Sequence, residues 1–114
     1  MIINLTPHAI CLFNEDGLSR IIDKKGPPAR VTFVPGGDDI VSIDGMPVHP
    51  APRFSAIENL PPPLPDTLYV VSQIVALVVA AVMPERHDVV YPGTSGAKRS
   101  RTGVVAVTHL IRAV

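Results

Sequence analysis

The sequence predicts an α+β domain, mainly β, in which about seven short strands form a small sheet or half-barrel around one buried apolar helix. Short runs of strand-forming residues alternate with turns rich in Gly, Pro, Asn and Asp along most of the chain. One apolar run, about 72–83, has the length of a core helix. Because 114 residues can bury one hydrophobic core and not two, we expect a single domain, 1–114.

The first third of the chain is expected to form a meander. Residues 2–5 and 9–13 are predicted strands that Pro7 separates, because proline has no N–H to donate to a sheet. Residues 18–22 return after a turn, and 29–34 consist mostly of strand formers.

A β-hairpin is predicted in the middle of the chain. Residues 40–43 and 46–48 are joined by Asp44 and Gly45, a pair typical of two-residue hairpin turns.

Prolines dominate the segment that follows. Pro50 and Pro52 make 49–56 at best an irregular edge, and the four prolines of 60–65 predict an extended strap across the surface.

The last third is expected to alternate strand and helix. Ser72 is a predicted N-cap between a buried strand and the helix, and Pro84 ends the helix. The predicted strands are 68–71, 88–91 and 104–111.

The helix is apolar on every face, so it requires protein on all sides. Either the strands wrap around it or a second copy packs on the side that the sheet leaves open. Hydrophobic residues also make up 46% of the chain and charged residues only 18%, which favours a homo-oligomer through the apolar helix.

Ten basic residues balance ten acidic ones, which argues against general nucleic-acid binding. The charge is uneven, because five basic residues and two acidic ones follow position 84. That excess suits a small anion.

The sequence indicates a reducing compartment and no membrane span. Cys11 is the single cysteine, and no secretory signal is recognisable at the start. The run 74–83 is about half of the ~20 residues that a bilayer requires. We therefore expect a cytoplasmic protein.

No catalytic motif is recognisable, so we expect no catalytic residue, metal or cofactor. The four histidines lack metal-site spacing, and Cys11 lies in an apolar strand that favours a packing role. The least favoured of three hypotheses is a small hydrolase acting on nucleotides, with His8 or His87 as base. The other two are given below.

Nine residues are candidates for binding an anionic ligand. Ser72 precedes the free N–H groups of a helix start, although plain N-capping is the more common role of such a serine. For Arg86 the alternative role is to pair with Asp88 in the turn after the helix. The candidates are Arg30, Tyr69, Ser72, Arg86, Tyr91, Lys98, Arg99, Arg101 and Arg112.

Several short stretches carry a resemblance to a known family. In chain order they are Asn4-Leu5-Thr6-Pro7-His8, Pro27-Pro28-Ala29-Arg30-Val31, Glu58-Asn59-Leu60-Pro61, Tyr69-Val70-Val71-Ser72, Arg86-His87-Asp88 and Pro92-Gly93. With them the chain resembles, over nearly its whole length, the small "NLTPH" proteins of tailed bacteriophages and prophage-carrying bacteria.

The resemblance implies a phage-type protein, located in the host cell cytoplasm if a phage encodes it, but no particular chemistry. Small phage proteins without catalytic motifs include sponges that sequester nucleotide immune signals, inhibitors of host proteins and minor virion components. The leading hypothesis is an anti-defence sponge for a small nucleotide-like anion, with Tyr69 or Tyr91 contacting a base. The alternative is a protein–protein module that inhibits a host factor or joins a virion, with the segment 50–65 as its recognition surface.

Overall fold

A computed structural model describes residues 1–13, 19–93, 98–99 and 105–114. These residues form one helix, α1 (Gln73–Val82), and twelve strands. The strands are β1 (Ile2–Asn4), β2 (Ile10–Phe13), β3 (Ser19–Ile22), β4 (Arg30–Val34), β5 (Val41–Ile43), β6 (Met46–Val48), β7 (Arg53–Glu58), β8 (Leu68–Val70), β9 (Val89–Pro92), β10 (Lys98–Arg99), β11 (Val105–Val107) and β12 (Leu110–Arg112).

The centre of the fold is a β-α-β unit made of β8, α1 and β9. The two strands are parallel neighbours, and the helix is the crossover that parallel pairing requires. β1 joins the free side of β8 in parallel, and β12 joins β9 antiparallel, which gives the first sheet the order β1-β8-β9-β12.

Successive side chains of the central strands of the first sheet point to opposite faces of the sheet, and both faces are covered. Tyr69, Val71 and Val89 pack with the inner face of α1. Val70 and Val90 pack on the other side against residues of the second sheet. The body of the protein therefore has three layers, with the first sheet in the middle.

The second sheet has the order β10-β11-β2-β3. β2 and β3 form the expected antiparallel pair, whereas β11 runs parallel to β2. The expected meander is wrong, because β1 pairs with the distant β8 instead of its neighbour in sequence.

An arm, defined as residues 30–58, leaves this body. Its base is the antiparallel pair β4-β7, and its end is the hairpin β5-β6. Asp44 and Gly45 both have positive φ, at 50° and 77°, as the predicted hairpin turn requires. β7 is a six-residue strand where an irregular edge was expected, since its prolines lie before the paired residues.

The prediction of a mainly β fold with one helix is confirmed, but two finer expectations differ from the structure. The expected strand at 104–111 is divided at Thr108 and His109, and its two parts join different sheets. The described residues form twelve short strands in four sheets, where about seven strands in one small sheet or half-barrel were expected.

Full burial of the helix is also wrong for the single chain. Val75, Ala76 and Val79 are buried, whereas Ile74 and Leu77 are 58% and 60% exposed. The strands cover only one side of α1. Within the described residues, no helix has the length and apolar character needed to cross a membrane.

Candidate functional site

Arg86, a predicted ligand-binding residue, lies almost wholly inside the protein, with 8% of its surface exposed. Its Nε donates to Asp88 Oδ1 at 2.9 Å and its NH2 group donates to Asp88 Oδ2 at 3.0 Å. This two-point contact is the strongest arrangement between the two side chains. It is the pairing across the turn after the helix that the sequence left open.

The same guanidinium holds the proline segment. Its NH2 group also donates to the carbonyl of Pro61 at 2.9 Å, and its carbon lies 5.9 Å from the centre of the Tyr69 ring. The Tyr69 hydroxyl donates to the carbonyl of Pro62 at 3.1 Å. Both predicted ligand residues therefore fasten the predicted strap, 60–65, to the body.

The electrostatics of this cluster follow from the Arg86 contact. The hydrogen bond from Arg86 lowers the pKa of Asp88 below its ordinary value of 3.8, against the opposing effect of partial burial. Asp88 is consequently a charged acceptor in the native protein at neutral pH.

Two other cationic candidates make separate contacts. Arg30 is exposed and pairs with Glu58 across the base of the arm, at 2.6 Å. Arg112 is exposed on β12 and donates to the carbonyl of His87 at 3.0 Å. Arg112 therefore lies beside the turn that holds Arg86 and Asp88, whereas Arg30 is engaged on the arm.

Four further candidates lie at the start of the helix, beside the core and in the second sheet. Ser72 occupies the expected N-cap position, but its hydroxyl makes no capping hydrogen bond. Tyr91 is half-buried beside the core that contains α1. Lys98 and Arg99 form β10, while Arg101 lies outside the described residues.

The histidines and Cys11 form no metal centre within the part of the chain that the structure describes. His109 lies within 2.9 Å of the Thr108 hydroxyl, and a side chain at Gly93 would overlap its ring. Cys11 is a half-buried residue of β2.

The stretch from Asn4 to His8 forms a turn whose polar side chains hold parts of the fold together. The buried Asn4 amide nitrogen donates to the carbonyls of His8 and Ile22, each at 2.9 Å, and its Oδ1 accepts from the Thr6 backbone N–H at 2.9 Å. The Thr6 hydroxyl lies 2.6 Å from the same Oδ1. The turn ties the first sheet to the second where the chain crosses between them.

Two open depressions lie on the body. One, of about 350 Å³, follows the strap and includes Lys25 and Asn59. The other, of about 540 Å³, lies beside the start of β1 and includes His87 and Asp88. Neither collects several of the cationic candidates.

The arm carries a surface that the sequence search for a site did not identify. Val41 and Ile43 alternate along β5 and face Met46 and Val48 across the hairpin, so all four point to one side. All four are exposed, from 41% to 65% of their surface. We name this set the hairpin face.

A second uncovered apolar surface lies on α1. Ile74, Leu77 and Ala81 lie on the side of the helix opposite the buried Val75 and Val79, and Val82 is exposed at the end of the helix. We name these four residues the outer stripe. The uniform apolar composition of the helix was the sequence signal for it.

Most exposed large apolar side chains belong to the outer stripe and to the outer part of the arm, residues 33–54, which contains the hairpin face and which we name the outer arm. Of fifteen among the described residues, eight lie on the outer arm, 33–54, and three lie on the outer stripe. The arrangement is therefore suited to covering apolar surface on contact with protein, more than to enclosing a small ion.

Comparisons with protein-family models, with curated proteins and with solved structures found no match.

Proposed function

We propose that this chain is a non-catalytic protein-binding module whose binding element is the outer arm. One observation carries the proposal: the hairpin face consists of four exposed apolar side chains on a projecting two-stranded element. Apolar surface concentrated in this way is a feature of interaction sites, because water around it is released on contact.

The geometry of the hairpin adds a preferred edge. In a two-residue hairpin the pair beside the turn, here Ile43 and Met46, is joined by backbone hydrogen bonds. The backbone groups of the next pair, Ser42 and Pro47, therefore point away from the partner strand, towards the two outer edges. Pro47 has no N–H and therefore blocks the outer edge of β6. The outer edge of β5 keeps both groups of Ser42, and it is the edge that can accept a further strand.

The body gives the arm a rigid origin. Val31 and Ile57, at the base of the arm, pack against the core that contains the inner face of α1. Further along the same pair of strands, Phe33 and Phe54 lie opposite each other and are exposed. The arm thus begins in the core and carries its apolar residues outward.

This proposal shifts the recognition surface from the one that the sequence indicated. The strap within 50–65 is fastened to the body through Arg86 and Tyr69, whereas the hairpin face makes no such contact with the core. On the resemblance to phage proteins, the module would be a minor virion component or an inhibitor of a host factor.

Sequestration of a nucleotide-like anion stays a prediction. Arg86 and Tyr69 are engaged within the chain, so a pocket for the anion would need groups from a second copy or from Lys98, Arg99 and Arg101. Native mass spectrometry of gently purified protein tests it, since a sponge retains a small molecule that denaturation releases intact.

Photo-crosslinking tests the protein-binding function. A photoreactive residue at Met46, in cells that naturally contain the protein, should give a covalent adduct with protein, because Met46 is the most exposed residue of the hairpin face. The matched control is the same residue at Glu85, which is exposed on the body. Equal adduct formation at both positions, or none at Met46, would contradict the proposal.

A further inference from the structure

We infer that the partner of the arm is a second copy of this chain, whose outer stripe receives the hairpin face. The inference rests on the proposed function and names its partner. It assigns a contact between two different surfaces of identical molecules.

The first argument is the distribution of exposed apolar residues. The outer arm and the outer stripe hold eleven of the fifteen large apolar side chains exposed among the described residues. The other four, Met1, Ile21, Leu64 and Val114, are scattered, as single exposed apolar residues normally are. One contact between copies covers both concentrations of apolar surface at once.

The second argument is that the chain already uses this kind of packing. On the inner side of α1, Val75 and Val79 belong to the core against which Val31 and Ile57 of the two-stranded arm base pack. The proposed contact repeats that arrangement on the outer side of a neighbour's helix, with the hairpin in place of the arm base. It continues the same apolar core across the boundary between copies.

The third argument is size. Three residues of extended strand span roughly 10 Å, which is the length of the hairpin face. The outer stripe from Ile74 to Val82 spans roughly 12 Å at the helical rise. The two surfaces match in length.

Charge agrees with the contact. The hairpin has exposed aspartates at both ends, Asp44 in its turn and Asp38 and Asp39 before β5, and α1 contains no charged residue between Gln73 and Val82. The first turn of α1 has no acidic residue, and Ser72 leaves its N–H groups without a side-chain cap. A hairpin lying along the apolar stripe in either direction places negative charge near the positive end of the helix.

Because the two surfaces differ, one copy offers an arm and receives another. Two copies can exchange arms in a closed dimer, and more copies can close a ring by passing the contact on. In both forms a copy with a damaged arm still has an intact helix, and the converse also holds. That independence makes the contact testable by mixing variants.

Three double variants with no change of charge provide the test. The arm variant is Ile43→Gln with Met46→Gln, the helix variant is Ile74→Gln with Leu77→Gln, and the control is Ile21→Gln with Leu64→Gln. All six residues are exposed, so the fold is expected to persist, and circular dichroism checks it.

Sedimentation over a roughly hundredfold range of concentration measures self-association. We expect wild type and the control to associate, and the arm and helix variants each to associate at least about tenfold more weakly. A mixture of the arm and helix variants should form a one-to-one complex, because one intact arm and one intact stripe remain.

Several results would overturn the inference. One is a monomeric wild type, and another is a mixture of the two variants that forms no complex. Unimpaired association of the helix variant would indicate arm-to-arm contact. Unimpaired association of the arm variant would indicate helix-to-helix contact. The Met46 crosslink gives a second readout on the unmutated helix, since the adduct should map to 73–82 of another copy. An adduct with a different protein would overturn this inference and leave the proposed function standing.

Discussion

Arg86 is a residue whose charge serves the fold. It bonds Asp88 twice and Pro61 once, and 10% of its side chain is exposed. Removing a buried partner leaves the other charge without compensation, which costs more than the pair itself contributes.

We therefore predict that Arg86→Met lowers the free energy of unfolding by about 3 kcal/mol. Chemical denaturation at low protein concentration measures the change. Arg112→Met, at an exposed arginine with one backbone hydrogen bond, is the matched control, and its expected change is about 0.5 kcal/mol. Equal, small changes in both variants would mean that Arg86 does not fasten the strap.

Asp88 makes the stability of the protein depend on pH in the acid range. Its pKa is lowered in the native state, chiefly by the hydrogen bond from Arg86, so the unfolded chain takes up the proton first as pH falls. The stabilisation is fully present above the ordinary value of 3.8 and is lost as pH falls through the lower native pKa.

The pH dependence of unfolding checks this assignment. Carboxylates titrate between roughly pH 7 and pH 2.5. Over this range the free energy of unfolding should fall less for Asp88→Asn than for wild type. In the Arg86→Met background the same substitution should make little difference to the slope, because the cause of the shift is gone. A slope unaffected by Asp88→Asn in the wild-type background contradicts the assignment.

Single residues were the hardest feature to predict from sequence. The pairing of Arg86 with Asp88 could be foreseen because they are two positions apart, but its contact with Pro61 joins residues 25 positions apart. Asn4 likewise reaches Ile22, 18 positions away. Such contacts depend on tertiary placement, so an arginine that binds a ligand and one that binds a carbonyl have the same local sequence.

At the scale of elements, local chemistry predicted what is local. Asp44 and Gly45 define their hairpin because both must adopt positive φ, and Ser72 and Pro84 bracket α1 closely. The parallel pairing of β1 with β8 was not predictable in this way, because no turn joins the two strands. The choice between a wrapped helix and a helix with one open side was not predictable for the same reason: composition gives apolarity, but it does not give the number of neighbours.

The two sides of α1 should respond differently to truncation. Val79→Ala removes two methyl groups from a fully buried site and should cost about 2 kcal/mol of unfolding free energy. Leu77→Ala removes more atoms from an exposed site and should change the monomer by about 0.5 kcal/mol or less.

Denaturation of both variants at low concentration, where monomers dominate, measures this contrast. If Leu77→Ala proves as costly as Val79→Ala under those conditions, the outer stripe is covered within the chain itself. At high concentration Leu77→Ala should become the more damaging change for association, because it lies in the proposed contact.

The whole molecule is elongated, with extents of 57 × 33 × 23 Å. Its radius of gyration is 17.3 Å, whereas a compact chain of this length has about 13 Å. The outer arm, which extends from the body, accounts for the larger radius of gyration. A chain that folds alone gains little by extending apolar residues away from its core, so the shape agrees with a partner that covers them.

The outer arm should be removable without loss of the body. Val34 and Arg53 are opposite each other at the end of the β4-β7 pair, so replacing 35–52 with Asn-Gly joins the two strands through a tight turn. None of the removed residues belongs to either core cluster, so we expect cooperative unfolding with a stability within about 1 kcal/mol of wild type.

Scattering, denaturation and sedimentation of the shortened chain complete the test. Its radius of gyration should fall towards about 13 Å, and self-association should be lost, because the hairpin face is gone while the outer stripe remains. A control with Ser42→Thr keeps the hairpin, its charges and its apolar face, and should behave as wild type. Retained association of the shortened chain would move the contact between copies to the body, and a shortened chain that unfolds without cooperativity would mean that the arm belongs to the folding unit.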